Sequence, residues 1–148
     1  MRLKTTISIA FFFIFFFEGQ SQIHGSYGLV TEFGVMGNLS GIYGGVQIKS
    51  FGVGIFYEDT PYRDQSEYNP KVQIIGAYGS WRFIQEGKLS SSVLLRAGVK
   101  DNQFVLIVPS LLFSYQLGKQ VHLGVIAGFR AEYPSVGLAL NFTFPIKE

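Results

Sequence analysis

The chain contains no cysteine. That excludes a disulfide framework and any thiolate-ligated metal. Charge is also scarce: Asp, Glu, Lys and Arg make up 15% of the residues, against about 25% in ordinary soluble domains. A formal net charge of +2 gives no electrostatic footprint for nucleic acid. There are only two histidines, His24 and His122, so a His-dependent active site has little to draw on. Beyond Ser21 no stretch shows helical periodicity. Gly52-Val53-Gly54 lacks the third glycine and the following helix of a dinucleotide fingerprint. What is plentiful is glycine, at 18 residues, and aromatic side chains, at 16% of the chain.

Residues 1–21 read as a secretory signal peptide. Arg2 and Lys4 supply the positive start, Ile7 to Phe17 an almost unbroken apolar run, and Gly19-Gln20-Ser21 the small residues before a cut ahead of Gln22. The run is about 11 residues, short of the ~20 that span a bilayer as a helix, and Glu18 ends it. Glutamine after a small residue resembles the leaders of Bacteroidetes-type secreted proteins. Residues 22–148 are then one domain.

That domain alternates apolar with small or polar residues between turn formers, which predicts strands. They run at about 25–35, 42–49, 51–58, 71–83, 89–99, 103–116, 121–130 and 136–144. Each is near the ~9–11 residues of a tilted transmembrane strand. The loop Met36 to Gly41, the turns near Ser50, Glu86-Gly87, Asp101-Asn102 and Gly118-Lys119, and the polar stretch Asp59 to Pro70 separate them. Strand four is ambiguous at its start, where Val72, Ile74 and Ile75 put apolar residues on both faces. Pro109 interrupts strand six and predicts a bulge there.

The last strand shows the pattern most clearly. Leu138, Leu140, Phe142 and Phe144 share one face; Gly137, Ala139, Asn141 and Thr143 share the other. Throughout the domain the apolar faces are almost free of charge. The opposite faces collect Glu32, Lys49, Glu58, Arg82, Arg96 and Arg130 among many glycines. A membrane barrel turns its apolar face to lipid and folds its polar face inward. The glycines leave room there for long side chains, and both signs of charge are present for pairing. Trp81, Phe83, Tyr115, Phe142 and Phe144 fall toward one rim; Phe33, Tyr57, Phe129 and Tyr133 fall toward the other, as interfacial aromatics do.

These features predict an all-β, eight-stranded antiparallel up-and-down transmembrane β-barrel. The closing sequence Leu140-Asn141-Phe142-Thr143-Phe144 resembles the strand that bacterial outer-membrane proteins offer to the barrel insertion machinery. The mature chain as a whole resembles the small eight-stranded outer-membrane barrels of the OmpA-domain and OmpX type. Where those commonly end at the final aromatic, this chain continues Pro145-Ile146-Lys147-Glu148. The resemblance implies a Gram-negative cell outer membrane as the location, and outer-membrane lipid and the insertion machinery as partners.

Chemistry is harder to find. His24 precedes the first strand and His122 opens the seventh. With both termini in the periplasm, both histidines lie at that end. A Ser–His pair acting on outer-leaflet lipid needs a histidine at the opposite rim. The loop residues Asp59, Tyr62, Arg63, Asp64, Glu67 and Tyr68 are the best candidate contact surface. They carry oxygen ligands but not the Asp-x-Asp-x-Asp-Gly spacing of a calcium loop. No catalytic, cofactor or metal residue is therefore assigned. The expectation is a structural or interaction barrel with a lumen filled by side chains and with short surface loops that contact an unidentified envelope protein. A narrow solute conduit, a lipid-modifying enzyme and a soluble lipocalin-like carrier stand as alternatives.

Overall fold

The computed structural model describes residues 23–34, 37–59, 72–100, 103–130 and 133–146. The proposed leader and the loop residues 60–71 lie outside these. Eight strands form, β1 (Ile23–Gly34), β2 (Leu39–Ile48), β3 (Phe51–Asp59), β4 (Gln73–Glu86), β5 (Leu89–Lys100), β6 (Gln103–Gln116), β7 (Val121–Arg130) and β8 (Tyr133–Pro145). Each pairs antiparallel with its sequence neighbours, and β8 pairs with β1, so the sheet closes into a barrel in sequence order. Closure leaves no open edge.

The register fixes how the barrel is staggered. Stepping across paired residues from His24 leads to Gln47, Gly52, Ser80, Leu94, Ser110, Gly128 and Ser135, and returns to β1 at Gly34, ten residues from the start. That offset is the shear that tilts the strands and sets the bore. Both termini lie at one end, where the amide of Ile146 donates to the carbonyl of Ile23 at 3.0 Å. The hairpins at this terminal end are tight. Lys49 occupies the left-handed region at φ 53° and Gly87 does so at φ 56°. The opposite, loop end carries the longest connection, residues 60–72 between β3 and β4.

Alternation decides which side chains face out. Ile55 is 71% exposed and Leu138 55% exposed, while Glu32 is 1% exposed. This inverts a soluble barrel: the hydrophobes are outside and the charges inside. The ambiguity of strand four is resolved by the same rule, with Ile75 outward at 63% and Ile74 inward at 1%. Ile74 joins Leu39 and Phe56 in a small apolar cluster inside the loop end. That packing explains why β2 begins at Leu39, three residues before the sequence pattern indicates: Leu39 lies opposite Glu32 on β1 and faces the lumen.

Two irregularities correct the sequence reading. The expected bulge at Pro109 is absent, and Pro109 pairs in regular register with Leu95. The ladder to β7 begins one residue later, at Ser110, so Pro109 sits where β6 has left β7 and owes it no N–H. The register shift in β6 lies nearer the loop end, opposite Gly98 and Val99. A second shift falls between Arg82 and Ile84, in a β4 that continues to Glu86.

Candidate functional site

Four charged side chains cross the lumen near the loop end. Glu32 comes from β1, Glu58 from β3, Arg96 from β5 and Arg130 from β7, one from every second strand. In an antiparallel barrel these are the strands that run in the same direction, and the stagger between them brings the four side chains to one height. Arg130 Nη2 donates to Glu32 Oε2 at 2.9 Å and lies 3.5 Å from Glu58 Oε2. Arg96 pairs with Glu58 through Nη1 and with Glu32 through Nη2. Each carboxylate thus meets both guanidinium groups, and the ring of four is neutral.

Neighbours complete the ring. Arg96 Nη2 donates to Ser110 Oγ at 3.2 Å, and Ser135 Oγ donates to Glu32 Oε2 at 3.3 Å. The Arg96 guanidinium carbon lies 6.0 Å from the centre of the Phe56 ring, within cation–π range. All four charged residues are buried, so desolvation opposes them and mutual pairing must offset it. Glycines make the ring possible. A Cβ at Gly41 would lie 2.7 Å from Glu58 Cγ, and one at Gly137 would lie 2.8 Å from Glu32 Cγ.

Of the six charges grouped from sequence, the structure brings these four together and leaves two apart. Lys49 sits in the β2–β3 hairpin at the terminal end. Arg82, near the same end, donates from Nη1 to Gln85 Oε1 at 2.9 Å. Face parity cannot separate these two from the rest, because it fixes direction but not height. Ser110 and Ser135 were missed as partners; both share the inward parity of Arg96 and Arg130, which was the available signal.

Between the ring and the terminal end lies a cavity of about 100 Å³, whose wall includes Ser80, Arg82, Ser92, Ser114, His122 and Thr143. Among the described residues no group of three or more His, Asp or Glu is placed to hold a metal ion. Of the candidate contact loop only Asp59 is described. It accepts hydrogen bonds from Tyr57 Oη at 3.0 Å and Gln73 Nε2 at 3.3 Å. Tyr62, Arg63, Asp64, Glu67 and Tyr68 fall outside the described residues. On β8, Leu138, Leu140, Phe142 and Phe144 keep outward parity, and Phe142 stacks on Tyr27 with centroids 5.0 Å apart.

The N-terminal β-barrel domain of Pseudomonas aeruginosa OprF superposes with a TM-score of 0.66 at 12% identity, over 84% of this chain and all of that one (100%). The chain has the fold of a small outer-membrane β-barrel. A de novo designed transmembrane β-barrel matches to a similar degree, with TM-score 0.64 and 12% identity over 86% of this chain and 99% of the design. At such identity the likeness concerns the barrel architecture alone. No family model and no curated protein matches the sequence.

Proposed function

We propose that the chain is an outer-membrane barrel of structural or interaction type, exported through a cleaved leader and acting through its loop end rather than by conducting solutes through its bore. The observation that carries this reading is the neutral ring of Glu32, Glu58, Arg96 and Arg130 across a lumen of eight strands. An eight-stranded barrel has a bore just wide enough for side chains to fill, and here fixed ion pairs fill it. The apolar exterior supports residence in lipid.

In this reading the termini are periplasmic. Loop residues 59–70 then face outward and offer Tyr62, Arg63 and Tyr68 to an envelope partner, and the apolar face of β8 serves the insertion machinery. An enzymatic role finds little support, because both histidines belong to the terminal halves of β1 and β7, away from the rim where outer-leaflet lipid would be met.

Two measurements test the proposal. Cell fractionation with mass spectrometry of the mature N-terminus should find the protein in outer membranes, starting near Gln22. An intact Phe-rich leader on the membrane-bound protein would overturn the export step. Purified barrel in planar bilayers should give no resolved single-channel currents; steady conductance steps would favour the conduit reading instead.

A further inference from the structure

Lumen charge is divided unequally along the barrel axis. Near the loop end, both carboxylates of the ring are engaged by Arg96 and Arg130, and the four charges cancel. Toward the terminal end the lumen carries the side chains of Arg82 and His122. Neither makes an ion pair among the described residues. Arg82 bonds to the neutral amide of Gln85, and His122 Nε2 meets Thr143 Oγ1 at 3.4 Å. Both line the same cavity. A guanidinium half withdrawn from water and bonded only to a neutral amide is an arrangement that an anion would relieve.

Glu58 and the apolar Leu94, Leu112 and Ile126 form part of the pocket wall, and its hydroxyl-bearing part suits the same ligand. Hydroxyls of Ser80, Ser92 and Ser114 line it, and each can donate to an acceptor. Asn141 also lines it, and its side-chain NH2 can donate to the same ligand. The β4 register shift falls immediately after Arg82, and bulges of this kind re-aim side chains next to functional sites. A volume of about 100 Å³ admits several waters or one small ion but is below the ~300 Å³ of a typical organic-ligand pocket.

We propose that the terminal half of the lumen is a binding pocket for a small water-borne oxyanion, a phosphate or a carboxylate. Arg82 is its anchoring charge, and the His122 ring N–H is a further donor. The planar guanidinium fork matches two oxygens of such an ion at once, one per N–H, whereas a halide offers both donors a single atom. The serine hydroxyls and Thr143 supply neutral donors around the remaining oxygens. The ring of Glu32, Glu58, Arg96 and Arg130 closes the inner end, so the ligand enters and leaves on the terminal side.

The test uses the mature barrel refolded in non-ionic detergent and labelled with nitrogen-15. The His122 ring and Arg82 side-chain resonances are followed during titration with inorganic phosphate, acetate or chloride at constant ionic strength. The expected result is a saturable shift with phosphate or acetate, at least about tenfold tighter than with chloride, a gap of about 1.4 kcal/mol. Arg82→Gln should weaken it at least about tenfold, and His122→Asn should weaken it and flatten its dependence on pH. Lys119→Gln, at the neighbouring β6–β7 turn, should leave it unchanged. If Arg82→Gln does not refold, Arg82→Lys keeps the charge without the fork and should bind several-fold more weakly. Equal or non-saturable responses to all three anions would show a water-filled vestibule only and overturn the proposal. So would wild-type affinity in the Arg82 variants.

Discussion

Glu32 is the residue on which the lumen ring depends most. Its two oxygens face different arginines, and Ser135 adds a third donor. Removing its charge leaves Arg96 and Arg130 sharing Glu58 alone inside a poorly hydrated bore. Breaking one partner of a buried pair costs about 3–5 kcal/mol, and lumen water lowers this toward the bottom of that range. Glu32→Gln is therefore expected to lower the urea midpoint of the refolded barrel, and more than Ser135→Ala does. In a double-mutant cycle, Glu32→Gln with Arg130→Gln should show a coupling of about 0.5–3 kcal/mol. Strict additivity would mean that the ring does not act as a unit.

At the scale of the strand, β6 separates sequence identity from ladder position. Pro109 lies beyond the β6–β7 pairing, while Phe113 is paired on both sides, with Ser91 on β5 and Val125 on β7. A proline removes a ladder hydrogen bond only where one is made. Pro109→Ala should change stability by no more than about 0.5 kcal/mol, the range of ordinary surface substitutions. Phe113→Pro should block refolding into detergent, as read by heat-modifiable migration on gels. Equal tolerance of both would mean that the β6–β7 ladder contributes little. The same contrast explains why strand six was misjudged from sequence: a proline signals a missing donor, and only the neighbour's end point says whether a donor was needed.

For the molecule as a whole, the outward hydrophobes and the two unlike ends govern behaviour. Leu138 faces out near the middle of β8, where a charge meets the bilayer interior. Leu138→Arg should cost about 2–4 kcal/mol of folding into lipid, while the inward Asn141→Ala should be close to neutral for insertion. Similar losses from both would contradict the assigned faces. Orientation is read by cysteine labelling in intact cells. A cysteine replacing Asn38, in the β1–β2 connection at the loop end, should react with an impermeant maleimide. One replacing Gly118, in the β6–β7 turn, should react only after the outer membrane is permeabilised. The reverse pattern would turn the barrel over and direct the oxyanion pocket to the cell exterior.

The alternation of Leu138, Leu140, Phe142 and Phe144 with small or polar residues was enough to establish a strand and its two faces, because side-chain direction along a strand has a period of two. Repeated along the chain, it determined an eight-stranded antiparallel barrel and the inward set of charges. Height along the axis was not legible. It depends on the stagger between strands, which accumulates through pairing around the whole circuit from His24 to Gly34. Only that stagger decided that Glu32, Glu58, Arg96 and Arg130 meet in one neutral ring while Arg82 lies toward the terminal end in the cavity that His122 also lines. Tertiary packing also gave Ile74, inward by alternation while Ile75 meets lipid, its place against Leu39 and Phe56 inside the loop end.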